Sequence, residues 1–224
     1  MNSCLELKNI TKRYHQGKID VLAVDSVSLA IRPAELLLIM GPSGSGKTTL
    51  LSMMGCILRP TSGEIKIDGR IVSNLGEQEL PDIRKKYFGF VFQSFNLFPS
   101  LTAKENIELL LRLKGFGKEE IKRESECLIE RVELGKRADF LPHDMSGGEK
   151  QRIAVARALA GDPKIILADE PTANLDSRTG KEILALLRNN AVEHGKAVAI
   201  VSHDPKAEAA ADRIIYLEDG KIKE

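Results

Sequence analysis

The run Gly41-Pro-Ser-Gly-Ser-Gly-Lys-Thr48 constrains this chain more than any other feature. It has the G-x-x-x-x-G-K-[ST] spacing of a loop that wraps its backbone amides around phosphate groups. The apolar run Leu36–Met40 before it reads as a buried strand, and Gly46–Met54 after it as a helix. A strand that enters a glycine loop and leaves as a helix belongs to a mostly parallel α/β sheet, with ligands at the carboxyl ends of its strands. Gly41, Gly44 and Gly46 permit the tight turn, and Pro42, Ser43, Ser45 and Thr49 complete the expected nucleotide-binding set. The helix start adds its positive dipole end. Lys47 is expected to reach the β and γ phosphates, where a cation at ~4 Å contributes roughly 4 kcal/mol at an effective dielectric near 20. Thr48 is expected to place its hydroxyl on Mg²⁺.

Phe88–Phe92, Ile165–Ala168 and Ala197–Val201 are further short apolar runs that read as buried strands. They end at Gln93, at Asp169-Glu170 and at Ser202-His203. This coincidence of polar strand ends is far more specific than any one of them. Phosphoryl transfer needs a carboxylate-held metal and a water held for in-line attack. Asp169 is expected on the Mg²⁺ side, and Glu170 as the general base. His203 follows as a hydrogen-bond sensor of the γ-phosphate, and Gln93 as a ligand of Mg²⁺ or water through its amide oxygen. Tyr14 is an aromatic available to stack on adenine in a chain only 4% aromatic.

Helical periodicity follows at Ser177–Arg188 and at Pro205–Ala211. The stretches Leu5–Leu29 and Gly63–Ile71 alternate with period two instead, predicting an antiparallel sheet beside the core. The opening Met1–Lys8 reads as an edge strand. Between Ser94 and Ala160 the pattern is helical, with Ala103–Lys114 and Lys118–Val132 amphipathic. The expected organisation is one domain over residues 1–224, its core formed by 1–93 and 161–224, with a helical insertion over 94–160. That insertion carries Ser146-Gly-Gly-Glu-Lys-Gln-Arg152, a second glycine turn opening a helix. One nucleotide needs one cradle, so the second is read as completing a site on a neighbouring chain.

Lys+Arg 33 against Asp+Glu 32 leaves a net charge of +1 with the signs interspersed, which offers no basic stripe to a nucleic acid. The three isolated cysteines, Cys4, Cys56 and Cys127, suit a reducing cytoplasm. No apolar run approaches the ~20 residues that span a bilayer, so membrane contact is expected only through another polypeptide.

Together these residues resemble the ATP-binding subunit of ABC transporters, over essentially the whole chain. Gly41–Thr48 is similar to the family's Walker A motif, and Ile165-Ile-Leu-Ala-Asp169 with Glu170 to Walker B and the catalytic glutamate. Gln93 resembles the Q-loop, Asn174-Leu-Asp176 the D-loop, His203 the switch histidine and Tyr14 the adenine-stacking aromatic. Met145-Ser-Gly-Gly-Glu149 resembles the signature motif, usually Leu-Ser-Gly-Gly-Gln. The resemblance implies a P-loop NTPase fold, ATP and Mg²⁺ as ligands, and a head-to-tail homodimer. In that dimer Ser146, Gly147, Gly148 and Glu149 of one chain close over ATP held by the other, with Asp176 near the junction. It also implies an integral-membrane permease partner and a place at the cytoplasmic face of the membrane. Two departures stand out: the charge of Glu149, expected to be offset by Lys150 or Arg152, and Ala34, where glycine is usual and a left-handed turn is strained. The stretches Gly89–Leu97 and Ala168–Asp176 resemble the macrolide-export and lipoprotein-release group. This implies export or extraction of a lipid, lipoprotein, peptide or drug-like substrate. The alternative is an ATP-dependent regulator of a membrane-bound cell-wall or division complex.

Overall fold

The strand-forming runs sort into two sheets in the computed structural model, which describes residues 3–16 and 19–223. In chain order the strands are β1 (Leu5–Gln16), β2 (Ile19–Ile31), β3 (Leu36–Met40), β4 (Ser62–Ile67), β5 (Arg70–Ile71), β6 (Phe88–Val91), β7 (Ile165–Asp169), β8 (Ala197–Ser202), β9 (Arg213–Glu218) and β10 (Lys221–Lys223). The helices are α1 (Lys47–Met54), α2 (Leu80–Tyr87), α3 (Ala103–Leu113), α4 (Lys118–Arg131), α5 (Gly147–Leu159) and α6 (Ser177–His194). An antiparallel sheet has the order β2-β1-β4-β5. A larger sheet has the order β10-β9-β3-β8-β7-β6 and is parallel except for the β9–β10 hairpin.

The parallel strands β3, β6, β7 and β8 are buried on both faces, and their alternate side chains feed two cores. Leu36, Leu38, Val91, Ala168 and Ile200 point to one side, where they meet α3–α6 through Ile107, Leu111, Val155 and Ile183. Leu37, Ile39, Leu167, Ala199 and Val201 point to the other side, against α1 and the antiparallel sheet. The helical segment thus shares a core with one face of the sheet rather than packing only on itself.

Some expectations change in the structure. The opening segment is not an edge strand: Leu5 lies opposite Ile31 of β2 on one side and Ile67 of β4 on the other. Alternation reports which face is buried, not how many neighbours a strand has. Met1 and Asn2 of that run lie outside the described residues. The strand expected to reach Phe92 ends at Val91. Helix α6 continues beyond Arg188 to His194, where Gly195 (φ 64) supplies the left-handed cap. The Pro205–Ala211 run forms a 3₁₀ turn over Pro205–Ala210.

Ala34 adopts φ 59, so the turn into β3 is left-handed without glycine. That conformation costs an alanine roughly 1–2 kcal/mol, against about 0.5–1 kcal/mol of added backbone entropy for glycine. Ala34→Gly is therefore expected to raise the thermal midpoint by about 1–3 °C, measured by calorimetry.

Candidate functional site

The carboxyl ends of β3, β8, β7 and β6 lie side by side, with Met40 opposite Ser202, Val201 opposite Asp169 and Ala168 opposite Val91. The polar residues that follow these strands therefore converge. They help to line a cleft of about 740 Å³, with Pro42, Ser43, Gly44, Gly46, Lys47, Thr48, Thr49, Gln93, Glu170 and His203 at its surface. Val21, Leu22 and Ala23 of β2 and the β9–β10 turn at Asp219-Gly220 complete the lining; they pack beside the glycine loop, where the Gly220 N–H donates to the Ser45 carbonyl at 3.1 Å.

The glycine loop is held by close backbone packing. A Cβ on Gly41 (φ 153) would stand 2.0 Å from the Leu217 carbonyl oxygen, and one on Gly46 (φ 99) 2.2 Å from that of Ala23. Glycine is required here for approach to β9 and β2 as much as for the turn. Lys47 is buried, and its ammonium donates to the carbonyl oxygens of Gly41 and Pro42, each at 2.8 Å. The cation thus closes the loop on itself, at the place where phosphate charge would be met. The buried Ser45 hydroxyl has no hydrogen-bond partner among the described residues.

The Thr48 hydroxyl donates to Asp169 Oδ1 at 3.1 Å, although Asp169 is not itself among the residues that line the cleft. Burial raises the Asp169 carboxyl above the usual carboxylate range; the neighbouring Glu170 adds to this, while the Thr48 hydrogen bond and Lys47 oppose it. A hydroxyl and a desolvated carboxylate side by side are the hard oxygen donors that suit Mg²⁺, and a divalent cation would favour the ionised carboxylate. Glu170 has a left-handed backbone (φ 45), pinned by its N–H donating to the Val201 carbonyl at 2.9 Å. Such outliers persist where the surroundings over-determine them. His203 Nδ1–H donates to Glu170 Oε1 at 2.8 Å, and the Ser202 hydroxyl donates to Oε2 at 3.4 Å. The carboxylate is thus oriented from two sides while remaining at the cleft. The Gln93 backbone is fixed in turn, its carbonyl accepting from Asn174 Nδ2 at 3.0 Å.

The remaining expected residues do not line this cleft. Tyr14 pairs with Val21 in the β1–β2 ladder but faces Lys12, whose ammonium lies 5.3 Å from the ring centroid. Ser146, Gly147, Gly148, Glu149 and Asp176 also lie outside it. They gather instead at a second place, where Ser146 caps α5 and Asp176 caps α6. The Ser146 hydroxyl accepts from the Glu149 N–H at 3.2 Å, and the Glu149 carboxylate accepts the Ser146 N–H at 2.8 Å. Its remaining partner is Arg137 at 3.1 Å, and not Lys150 or Arg152 as the sequence suggested. Arg152 instead pairs with Glu182 at 2.8 Å. The Ser146 backbone hydrogen bond, with Arg137 a smaller contribution, holds the Glu149 carboxyl below the usual range. The charge of Glu149 is therefore absorbed by its own helix start. Asp176 is likewise held low, mainly by the Thr179 hydroxyl at 2.6 Å.

The ABC transporter family profile matches residues 24–173. The uncharacterized ABC transporter ATP-binding protein MJ0796 of Methanocaldococcus jannaschii is 48% identical over 224 residues, covering 98% of this chain and 95% of that one. The macrolide export ATP-binding/permease protein MacB of Salmonella typhimurium is 41% identical over 222 residues, covering 99% of this chain but 34% of its own length. A solved structure of MJ0796, dimeric in a post-hydrolysis state with ADP and Pi, superposes with a TM-score of 0.91 at 45% identity, covering 98% of this chain and 97% of that one.

Proposed function

The chain belongs to the ABC transporter family as an ATP-binding subunit and ATPase, and from that premise we propose that it fires as a head-to-tail homodimer that drives a membrane permease. The observation that carries this reading is the separation of the two glycine sites. The cleft holds the phosphate loop, Gln93, Glu170 and His203, whereas the Ser146–Gly148 turn lies outside it. A second copy, turned to face the first, would bring that turn to the open side of the cleft. The dimeric state of MJ0796 with ADP and Pi supports a homodimer as the working form.

In this reading the amides of Gly41–Thr49 and the Lys47 ammonium hold the phosphates of ATP, and Tyr14 stacks on adenine after leaving Lys12. Thr48, Asp169 and Gln93 would hold Mg²⁺, which when bound supplies charge neutralisation at the transferred phosphoryl group. Glu170 accepts a proton from the attacking water. His203, hydrogen-bonded to Glu170, fixes that carboxylate's direction and keeps its own exposed edge free for the γ-phosphate. Ser146, Gly147 and Gly148 of the second copy close over the γ-phosphate, their helix start attracting its charge. Asp176 lies at the junction, and Glu149 serves by shaping the turn. Residues 94–160 act as a helical subdomain that carries this lid, and residues 1–93 and 161–224 as the nucleotide-binding core.

No helix among the described residues is long and apolar enough to cross a membrane. In this reading a permease supplies the membrane contact, at the cytoplasmic face. The likeness of this chain to MacB supports export as the direction, and the substrate in this reading is a lipid, lipoprotein, peptide or drug-like molecule.

The lid is tested at Gly147. A Cβ there meets nothing closer than 3.6 Å, whereas one on Gly148 would stand 2.5 Å from Thr179 Cγ2. Gly147→Asp is thus expected to fold and to bind ATP, while its carboxylate repels phosphate across the dimer. Steady-state turnover should fall at least a hundredfold, by the scale of losing an electrostatic stabiliser. Wild-type turnover in the variant would reject the lid.

A further inference from the structure

The loop after Gln93 contains consecutive left-handed residues that are not glycine: Phe95 at φ 62 and Asn96 at φ 48. Something must hold them there. The holder is Arg157 of α5, which is 8% exposed. Its guanidinium donates through Nη2 to the Phe95 carbonyl at 2.8 Å, and through Nη1 to the Asn96 carbonyl. Burial pushes the guanidinium down to about 10, with no carboxylate opposing it. A desolvated cation placed on main-chain oxygens is an expensive arrangement for a merely structural tie. The rigid fork of arginine reaches both carbonyls at once, which an ammonium cannot reproduce.

The same helix makes a second tie. Gln151, also buried, donates to the Pro171 carbonyl at 2.8 Å, immediately after Glu170. Helix α5 begins at the glycine turn of Ser146 and so reaches the loops that follow both β6 and β7.

We infer that Arg157 is a positioning residue, holding the Gln93 loop in register with the helix that opens at Ser146. Gln93 and the glycine turn then shift together and not independently. The inference rests on the ATPase reading. If the wild-type chain does not hydrolyse ATP, that reading fails before Arg157 is at issue.

Arg157→Met keeps the side-chain volume and removes the fork. The residues buried around α5 (Ile153, Ala154, Val155 and Ala156) and the Gln151 tie remain to hold the helix. Nucleotide affinity should stay within about threefold, because the glycine loop is untouched. Turnover at saturating ATP should fall by about 10–100-fold, the scale of misplacing a catalytic group, and the Mg²⁺ concentration for half-maximal rate should rise. Asn96→Pro attacks the same tie from the exposed loop, since proline cannot adopt φ 48, and decides the matter should Arg157→Met fail to fold. The double variant should be no worse than the more impaired single one, because both remove one interaction. Unchanged turnover and Mg²⁺ dependence in either folded variant would overturn the inference. So would losses that multiply in the double variant.

Discussion

Glu170→Gln is expected to bind ATP with near-wild-type affinity and to lose turnover by roughly 10²–10⁴-fold, the usual contribution of a positioned general base. The substitution preserves volume, and an amide oxygen can still accept from His203 Nδ1–H, which now lies 2.8 Å from the carboxylate. The left-handed backbone and its tie to Val201 are main-chain features that the change leaves intact. What disappears is the proton acceptor. With the cleft and the lid both intact, ATP should accumulate between two chains. Gel filtration at saturating ATP and Mg²⁺ should show a stable dimer that disperses when nucleotide is removed. A variant that stays monomeric under those conditions would contradict the proposed assembly, and one with full turnover would remove Glu170 from the chemistry.

Lys47→Ala should act earlier, on binding itself. The ammonium is buried and bonded to the Gly41 and Pro42 carbonyls, so its removal takes away a phosphate partner and unfastens the loop. About 4 kcal/mol of attraction at ~4 Å corresponds to a loss of about a thousandfold in affinity. The measurement is titration calorimetry with ATP. Hydrolysis should be undetectable at ATP concentrations that saturate the wild type. Affinity within a few-fold of wild type would separate Lys47 from the phosphates and require a different cradle.

Much of this site was legible because its chemistry sits at strand ends. A buried parallel strand is a short apolar run, and polar residues at or just beyond its end, as at Gln93, Asp169-Glu170 and His203, read plainly. The capping pattern of Ser146 with Glu149 is equally local, yet its tie to Arg137 was missed because the partner comes from a separate turn. Helix α2 was hidden by charge: it buries only Leu80 and Ile83 and carries Arg84, Lys85 and Lys86 in its last turn. Strand β9 was hidden for a related reason, since only Leu217 is buried in it. The β2 lining of the cleft, from Val21 to Ala23, carries no functional residue type and acquires its place only by tertiary packing. Arg157 carried no sequence signal of its own, standing as one more charged residue in the helical segment 94–160. Its burial, and the carbonyls it meets, belong to the fold and not to local pattern.

Mixing Lys47→Ala chains with Gly147→Asp chains offers the sharpest discrimination. Alone, each variant lacks either the cradle or the lid in every dimer it makes. In a head-to-tail hybrid, one cleft combines an unaltered Lys47 with an unaltered Gly147 from the opposite chain. ATP turnover should therefore reappear on mixing, in proportion to the hybrid recovered through a tag on one chain. Hybrids that are recovered in quantity yet hydrolyse no faster than the separate variants would show that the two glycine sites do not meet across the dimer.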